Sequence, residues 1–129
     1  MITKILTLSI VFSNQPLLDS ICQVESNCDS SAIGDNGNAI GAYQIWRAYW
    51  QDAVEHDPSI GGVYSDCTDK AYAEKIVLAY WSRYATEKRI GRTVTDEDRA
   101  RIHNGGPNGY KKKATEKYWK KIKKNLNGN

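Results

Sequence analysis

Two carboxylates, Glu25 and Asp35, stand in settings that push them toward opposite protonation states. Leu18, Ile21, Cys22 and Glu25 follow one another at i, i+3, i+4 and i+7, which places Glu25 on the apolar stripe of a helix. A carboxyl there loses hydration. It also lies near the C-terminal end of the helix, where the backbone dipole disfavours negative charge, so both effects favour the protonated form. Asp35 sits beside the polar turn signal Asn36-Gly37, where solvent keeps a carboxylate ionised. A protonated acid paired with an ionised carboxylate is what hydrolysis of a glycosidic bond requires, one to protonate the leaving oxygen and one to support the cationic sugar. Each residue also has a plainer reading. With the stripe shifted by one register, Glu25 is a surface or salt-bridged residue. An Asp before Asn-Gly is a common turn former through bonds to its own backbone.

Other chemistries find less support. His56 and His103 are the two histidines, and no Gly-x-Ser-x-Gly elbow accompanies them. There is no phosphate-cradling glycine loop and no dinucleotide fingerprint. Two His with scattered Cys22, Cys28 and Cys67 and no Cys-x-x-Cys do not make a zinc site, so no metal is expected. The three cysteines permit one disulfide and one leftover thiol, in any of three pairings.

The elements that must position the carboxylates follow from periodicity and punctuation. Pro16 fits a first helical turn after Asn14 and Gln15, so the helix carrying Glu25 is expected to begin there. A small β-hairpin is expected across 32–40. Ala42, Ile45, Tyr49 and Ala53 then share a helical face, so a second helix should start directly after the hairpin. Residues 54–66, with Pro58, Gly61 and Gly62, read as a loop. A long central helix is expected across 68–88, with Ala73, Ile76, Val77, Tyr80 and Tyr84 inward. Thr95 and Asp98 have the form of a capping box. His103 to Gly109 must turn, because two glycines before a proline cannot continue a helix. A last helix should bury Ala114, Tyr118, Ile122 and Leu126 and expose its lysines. The fold class is α+β, mainly α, with one hairpin and about five helices.

A chain of 129 residues suits a single domain, assigned to 14–129. Residues 1–13 carry one lysine and then Ile5 to Phe12, the outline of a short signal peptide, so export is expected. Nothing elsewhere is long enough to span a membrane. The net charge of +3 conceals an uneven distribution, since 111–129 hold eight Lys against one Glu. Such a basic end is either a solvated helix face or an attraction toward anionic envelopes or nucleic acid. Eight Tyr and four Trp against one Phe suit either a core or a wet groove that stacks on sugars.

Ile21-Cys-Gln-Val-Glu-Ser-Asn-Cys28, Gly41-Ala-Tyr-Gln-Ile45, Tyr49-Trp50 and His103-Asn-Gly-Gly-Pro107, in that order, resemble the invertebrate-type (i-type) lysozymes of the destabilase family. The resemblance runs from about residue 17 to 122. It implies a lysozyme-like fold, no cofactor, and cleavage of the β-1,4 bond between N-acetylmuramic acid and N-acetylglucosamine in bacterial peptidoglycan. Chitin oligosaccharides would be a second substrate, and no nucleic acid is implied; a secreted monomer is expected. Glu25 matches the family's acid and Asp35 its second carboxylate. Tyr43 and Gln44 match the stretch lining the sugar groove, and His103, Asn104, Gly105, Gly106 and Pro107 match the cleft's far wall. Animal members carry ten or more cysteines, so most of their disulfides are missing here and the core must replace them. A lytic transglycosylase resembles the same motifs and works with one acid, without Asp35. A non-catalytic wall-binding antimicrobial module is the third reading. The family's isopeptidase pair has no clear counterpart in this chain.

Overall fold

The computed structural model describes residues 2–128, with side chains described from Asn14 onward. The backbone of Ile2–Ser26 forms one helix, α1, with Pro16 inside it. The helix therefore begins before the proline and not at it. A proline's fixed φ is compatible with helix geometry, and what it forfeits is one backbone bond. The side chains of the expected leader, residues 1–13, lie outside the described residues.

From Asn14 the stripe faces inward as its spacing requires. Leu17, Leu18, Ile21 and Cys22 are all at or below 1% exposure, each burial of this kind stabilising the fold by about 1.5–3 kcal/mol for the larger side chains. After α1 come β1 (Ile33–Gly34) and β2 (Ala39–Ile40), antiparallel with Gly34 opposite Ala39. The hairpin is present, but its connection holds four residues. Asp35, Asn36 and Gly37 all take positive φ (50°, 58° and 90°) before Asn38 returns to the right-handed region. Asn36-Gly37 thus keeps its left-handed signature within a longer loop.

The second helix does not follow the hairpin directly. Gly41 to Gln44 form a turn, and Ile45–Trp46 form a third strand, β3, paired with β2. Helix α2 then runs Arg47–His56. Ala42 and Ile45 are both buried three residues apart, as on a helical face, but Ala42 is buried by the turn and Ile45 by the two-residue strand, so the spacing imitated a helix there. Gly41 is required at this turn, because its φ is +81° and an added Cβ would lie 2.1 Å from the Cys67 carbonyl oxygen.

The segment read as a loop contains the end of α2 and 3-10 turns at Pro58–Ile60 and Tyr64–Thr68. Helix α3 (Lys70–Tyr84) buries Ala73, Ile76, Val77, Ala79, Tyr80 and Trp81 and forms the centre of the core. It is shorter than expected, since Ala85 breaks it before a one-turn helix, α4 (Glu87–Ile90). That extra turn makes six α-helices among the described residues. Helix α5 (Asp96–Gly105) opens on the Thr95–Asp98 capping box and ends where Gly106 adopts φ +86°. His103, Asn104 and Gly105, expected in the turn, are therefore the last helical residues, and the turn begins three residues later, at Gly106. Helix α6 (Glu116–Leu126) buries Ile122 and half-buries Tyr118 and Leu126, with its lysines exposed. Ala114, expected inside, is exposed because it precedes the helix in a 3-10 turn that buries Thr115 instead.

Helix α6 packs along α1, where the Ser20 hydroxyl donates to the Asn125 side-chain oxygen at 2.8 Å. No helix among the described residues is long and apolar enough to cross a membrane.

Candidate active site

Glu25 occupies the last turn of α1, and two covalent or polar ties fix that turn. Cys22 and Cys28 form a disulfide that brackets it, a sequence separation of six residues. The neighbouring Ser26 hydroxyl donates to the Ala42 carbonyl oxygen at 2.8 Å, joining the helix end to the turn before β3. Cys67 remains a buried thiol, pushed up to about 12 by burial and then by the Asp66 charge.

The Glu25 side chain is 19% exposed. Its Oε2 accepts a hydrogen bond from the Tyr118 hydroxyl at 3.0 Å and lies 3.4 Å from His103 Nε2. Burial, reinforced by the Glu25 charge and the hydrogen bond to it, holds the Tyr118 phenol well above its usual range, so it persists as a neutral donor. Both of these neighbours approach the same oxygen. Among the described residues, Oε1 has no protein partner.

His103 is itself fixed from two sides. Its Nε2 lies 3.0 Å from the Tyr43 carbonyl oxygen, an acceptor only, so this nitrogen carries a proton. Its Nδ1 lies 2.8 Å from the Tyr49 hydroxyl. Tyr49 stacks on Tyr80 with ring centroids 3.7 Å apart and an interplanar angle of 8°, and burial raises its phenol well above the ordinary value. The chain Tyr80, Tyr49, His103, Glu25, Tyr118 thus runs from α3 through α2, α5 and α1 to α6.

Tyr43 is fully buried, and its hydroxyl donates to Glu74 Oε2 at 2.6 Å. Its ring therefore cannot stack on a sugar, and its contribution to this constellation is the carbonyl that orients His103. Gln44 is half-buried with φ 52°; its amide nitrogen donates to the carbonyls of Gly41 (3.0 Å) and Ala32 (3.3 Å), bracing the hairpin. Asn104 is exposed, while Gly105, Gly106 and Pro107 are half-buried at the end of α5. Arg89 pins that end by donating to the Pro107 carbonyl and, at 2.7 Å, to the Asn108 side-chain oxygen.

Asp35 is exposed on the hairpin loop, and its Oδ2 accepts from the Trp46 indole N–H at 3.3 Å. Asp29, the other acid of this region, is engaged by its own turn: its Oδ1 accepts from the Ser31 hydroxyl and backbone, which holds its carboxyl below the usual range. The five non-glycine residues with positive φ are Asn27, Cys28, Asp35, Asn36 and Gln44, all between the end of α1 and the start of β3. Local strain concentrated in one segment is a feature of functional sites, each such residue costing about 1–3 kcal/mol.

The sequence had marked Tyr118 only as an inward-facing residue of the last helix, and Tyr49 only as part of a helical face. Neither carries a local signal of its contact with Glu25 or His103, which arises from packing of α6 and α2. Among the described residues, no group of three or more His, Cys, Asp or Glu side chains is arranged to hold a metal ion.

The Destabilase family profile matches residues 14–125. Lysozyme 1 of Crassostrea virginica is 40% identical over 114 residues, 84% of this chain and 58% of that protein. Invertebrate-type lysozyme 6 of Caenorhabditis elegans is 32% identical over 126 residues, 92% of this chain and 91% of that protein. The chain thus spans little more than half the length of the first of these relatives and nearly all of the second. Among solved structures, the crystal structure of Aeromonas hydrophila PliI in complex with Meretrix lusoria lysozyme contains a chain that superposes with TM-score 0.73 at 36% identity, covering 85% of this chain and 88% of that one. On this coverage and identity, the chain belongs to the Destabilase family, that of the invertebrate-type lysozymes.

Proposed function

We propose that this chain is a muramidase that hydrolyses the β-1,4 bond between N-acetylmuramic acid and N-acetylglucosamine in bacterial peptidoglycan. The observation that carries the reading is the Glu25 carboxyl, held on one oxygen by Tyr118 and His103 and without a protein partner on the other, in a chain of this family. In the reaction, Oε1 gives its proton to the glycosidic oxygen as the bond from that oxygen to the anomeric carbon breaks. Negative charge then develops on the Glu25 carboxyl, and the Tyr118 hydroxyl donating to Oε2 stabilises it more in the transition state than in the neutral acid. Water supplies hydroxide to the anomeric carbon, and its remaining proton restores Glu25. Asp35 supplies the second carboxylate, exposed to solvent, to stabilise or attack the cationic sugar. This division of labour is the general one for glycoside hydrolysis, worked out on lysozymes of another type.

Tyr43 and Gln44 act here through the backbone and hairpin they brace, and His103 to Pro107 through the wall they build beside Glu25. The enzyme works outside the cell. The Cys22–Cys28 disulfide suits an oxidising compartment, and removal of residues 1–13 would leave Asn14, the first residue of the family match, at the new N-terminus.

Product analysis on purified sacculi tests the assignment. Hydrolysis releases fragments ending in a borohydride-reducible N-acetylmuramic acid. Fragments ending in the anhydro sugar would mean that the carboxyl serves a transglycosylase, and absence of any release would refute catalysis.

A further inference from the structure

Three large hydrophobic side chains stand exposed among the described residues: Ile33, Val63 and Trp46, the last at 47%. Trp46 differs from the other two because its polar edge is fixed. It pairs with Ala39 in the sheet, and Ala39 pairs in turn with Gly34, so these three residues form one row across β3, β2 and β1. The indole N–H reaches Asp35 Oδ2, in the loop that follows β1. Beside Trp46 in that row Ala39 is small and buried, and the place a Cβ would take on Gly34 is filled by the Gln44 side-chain oxygen. The indole is thus left about half exposed, with a carboxylate at its polar edge.

Trp46 is also continuous with the proposed active site. Three residues before it, the Tyr43 carbonyl accepts from His103, and three residues after it, the Tyr49 hydroxyl meets the same imidazole, which itself lies 3.4 Å from Glu25. A flat, pinned aromatic face beside a carboxylate is matched to a pyranose: the apolar face of the sugar covers the ring, and its hydroxyls donate to the acid.

We propose that Trp46 and Asp35 together form a carbohydrate subsite, in which the exposed indole stacks on an N-acetylhexosamine ring of the glycan strand. This rests on the muramidase reading for its placement along the substrate. The Trp46–Asp35 hydrogen bond limits rotation of the indole, so less freedom is lost when a sugar binds.

The test uses tri-N-acetylchitotriose as the probe and Glu25→Gln as the parent, so that binding is measured without turnover. Titration calorimetry gives Kd, and tryptophan fluorescence reports the environment of the ring; thermal melting verifies that each variant is folded. Trp46→Ala should weaken binding about tenfold, the scale of one lost aromatic contact. Trp46→Phe keeps a stacking face and should stay within about threefold of the parent, while losing most of the fluorescence change. A folded Trp46→Ala variant that binds within about twofold of its parent overturns the subsite. So does a Trp46→Phe variant as weak as Trp46→Ala, since the contact would then run through the indole N–H and not its face. A parent that does not bind the trisaccharide overturns it as well. Failure of the wild type to release reducing ends from sacculi would instead sink the muramidase reading, a result separable from the Kd comparison.

Discussion

Removing the Cys22–Cys28 bridge by a Cys22→Ser/Cys28→Ser double substitution should cost both stability and turnover, because the bridge closes a short loop around the catalytic carboxyl. With a sequence separation of six, loop closure removes about 7 cal/mol/K from the unfolded chain, or about 2 kcal/mol at 25 °C. For a domain of this size that corresponds to a fall in Tm of roughly 8 °C. Glu25 and Ser26 lie inside the loop, so the last turn of α1 also loses its covalent clamp and is left with hydrogen bonds, chiefly Ser26 to Ala42 and Tyr118 to Glu25. Turnover should therefore fall further than the unfolded fraction explains, when assayed well below the new Tm. Scanning calorimetry and wall-clearing rates at a fixed low temperature measure the two effects separately. Dithiothreitol on the wild type should reproduce both losses. A fall of less than about 2 °C with unchanged turnover would refute the argument, showing that the noncovalent ties already hold Glu25 in place.

Asp35→Asn should lower kcat by at least about 10²-fold if that carboxylate stabilises or attacks the cationic sugar, and near-normal turnover on sacculi would favour a one-acid mechanism. Tyr118→Phe deletes a donor to the developing carboxylate; since a hydrogen bond to a charged group contributes about 1.5–3 kcal/mol, kcat should drop about ten- to hundred-fold with KM little changed. Asp98 is buried, which opposes its charge, but the Arg92 guanidinium and the Thr95 backbone and hydroxyl outweigh that and hold its carboxyl below the usual range. Its stabilising effect is accordingly present above the unfolded-state value of about 3.9 and is lost as the pH falls through the lower folded-state value. In melting curves against pH, Asp98→Asn should be less stable than wild type at neutral pH, with the gap narrowing below about pH 4; a constant gap would contradict this.

What could be read without the structure follows a physical pattern. The 3.6-residue stripe through Leu18, Ile21 and Cys22 located the buried face of α1, because burial and periodicity there are the same fact. The Thr95–Asp98 box is a local pattern and appears with both of its reciprocal bonds. Strand β3 was hidden, since two residues are too few to display a period. The proline in α1 marked a helix start in the sequence but lies within the helix, where its ring is tolerated at the cost of a backbone bond. At the candidate site, the two carboxylates could be singled out from neighbours in the chain. The partners of Glu25 could not: Tyr118 is separated from it by 93 residues, and only the packing of α6 on α1 brings the two together. The ring of Tyr43 was expected in a groove, yet its hydroxyl is bonded to Glu74 inside the core, a long-range pairing with no local signature.

The central claim is that Glu25 donates the proton that breaks the glycan. Release of reducing N-acetylmuramic acid ends from purified sacculi, compared between wild type and Glu25→Gln at equal folded concentration, tests it most directly. Glutamine keeps the shape of the side chain and can still engage Tyr118, but it has no acidic proton. The account predicts release by the wild type and a loss of at least about 10³-fold in the variant, on the scale of removing a catalytic acid. Equal release by the two proteins would contradict it.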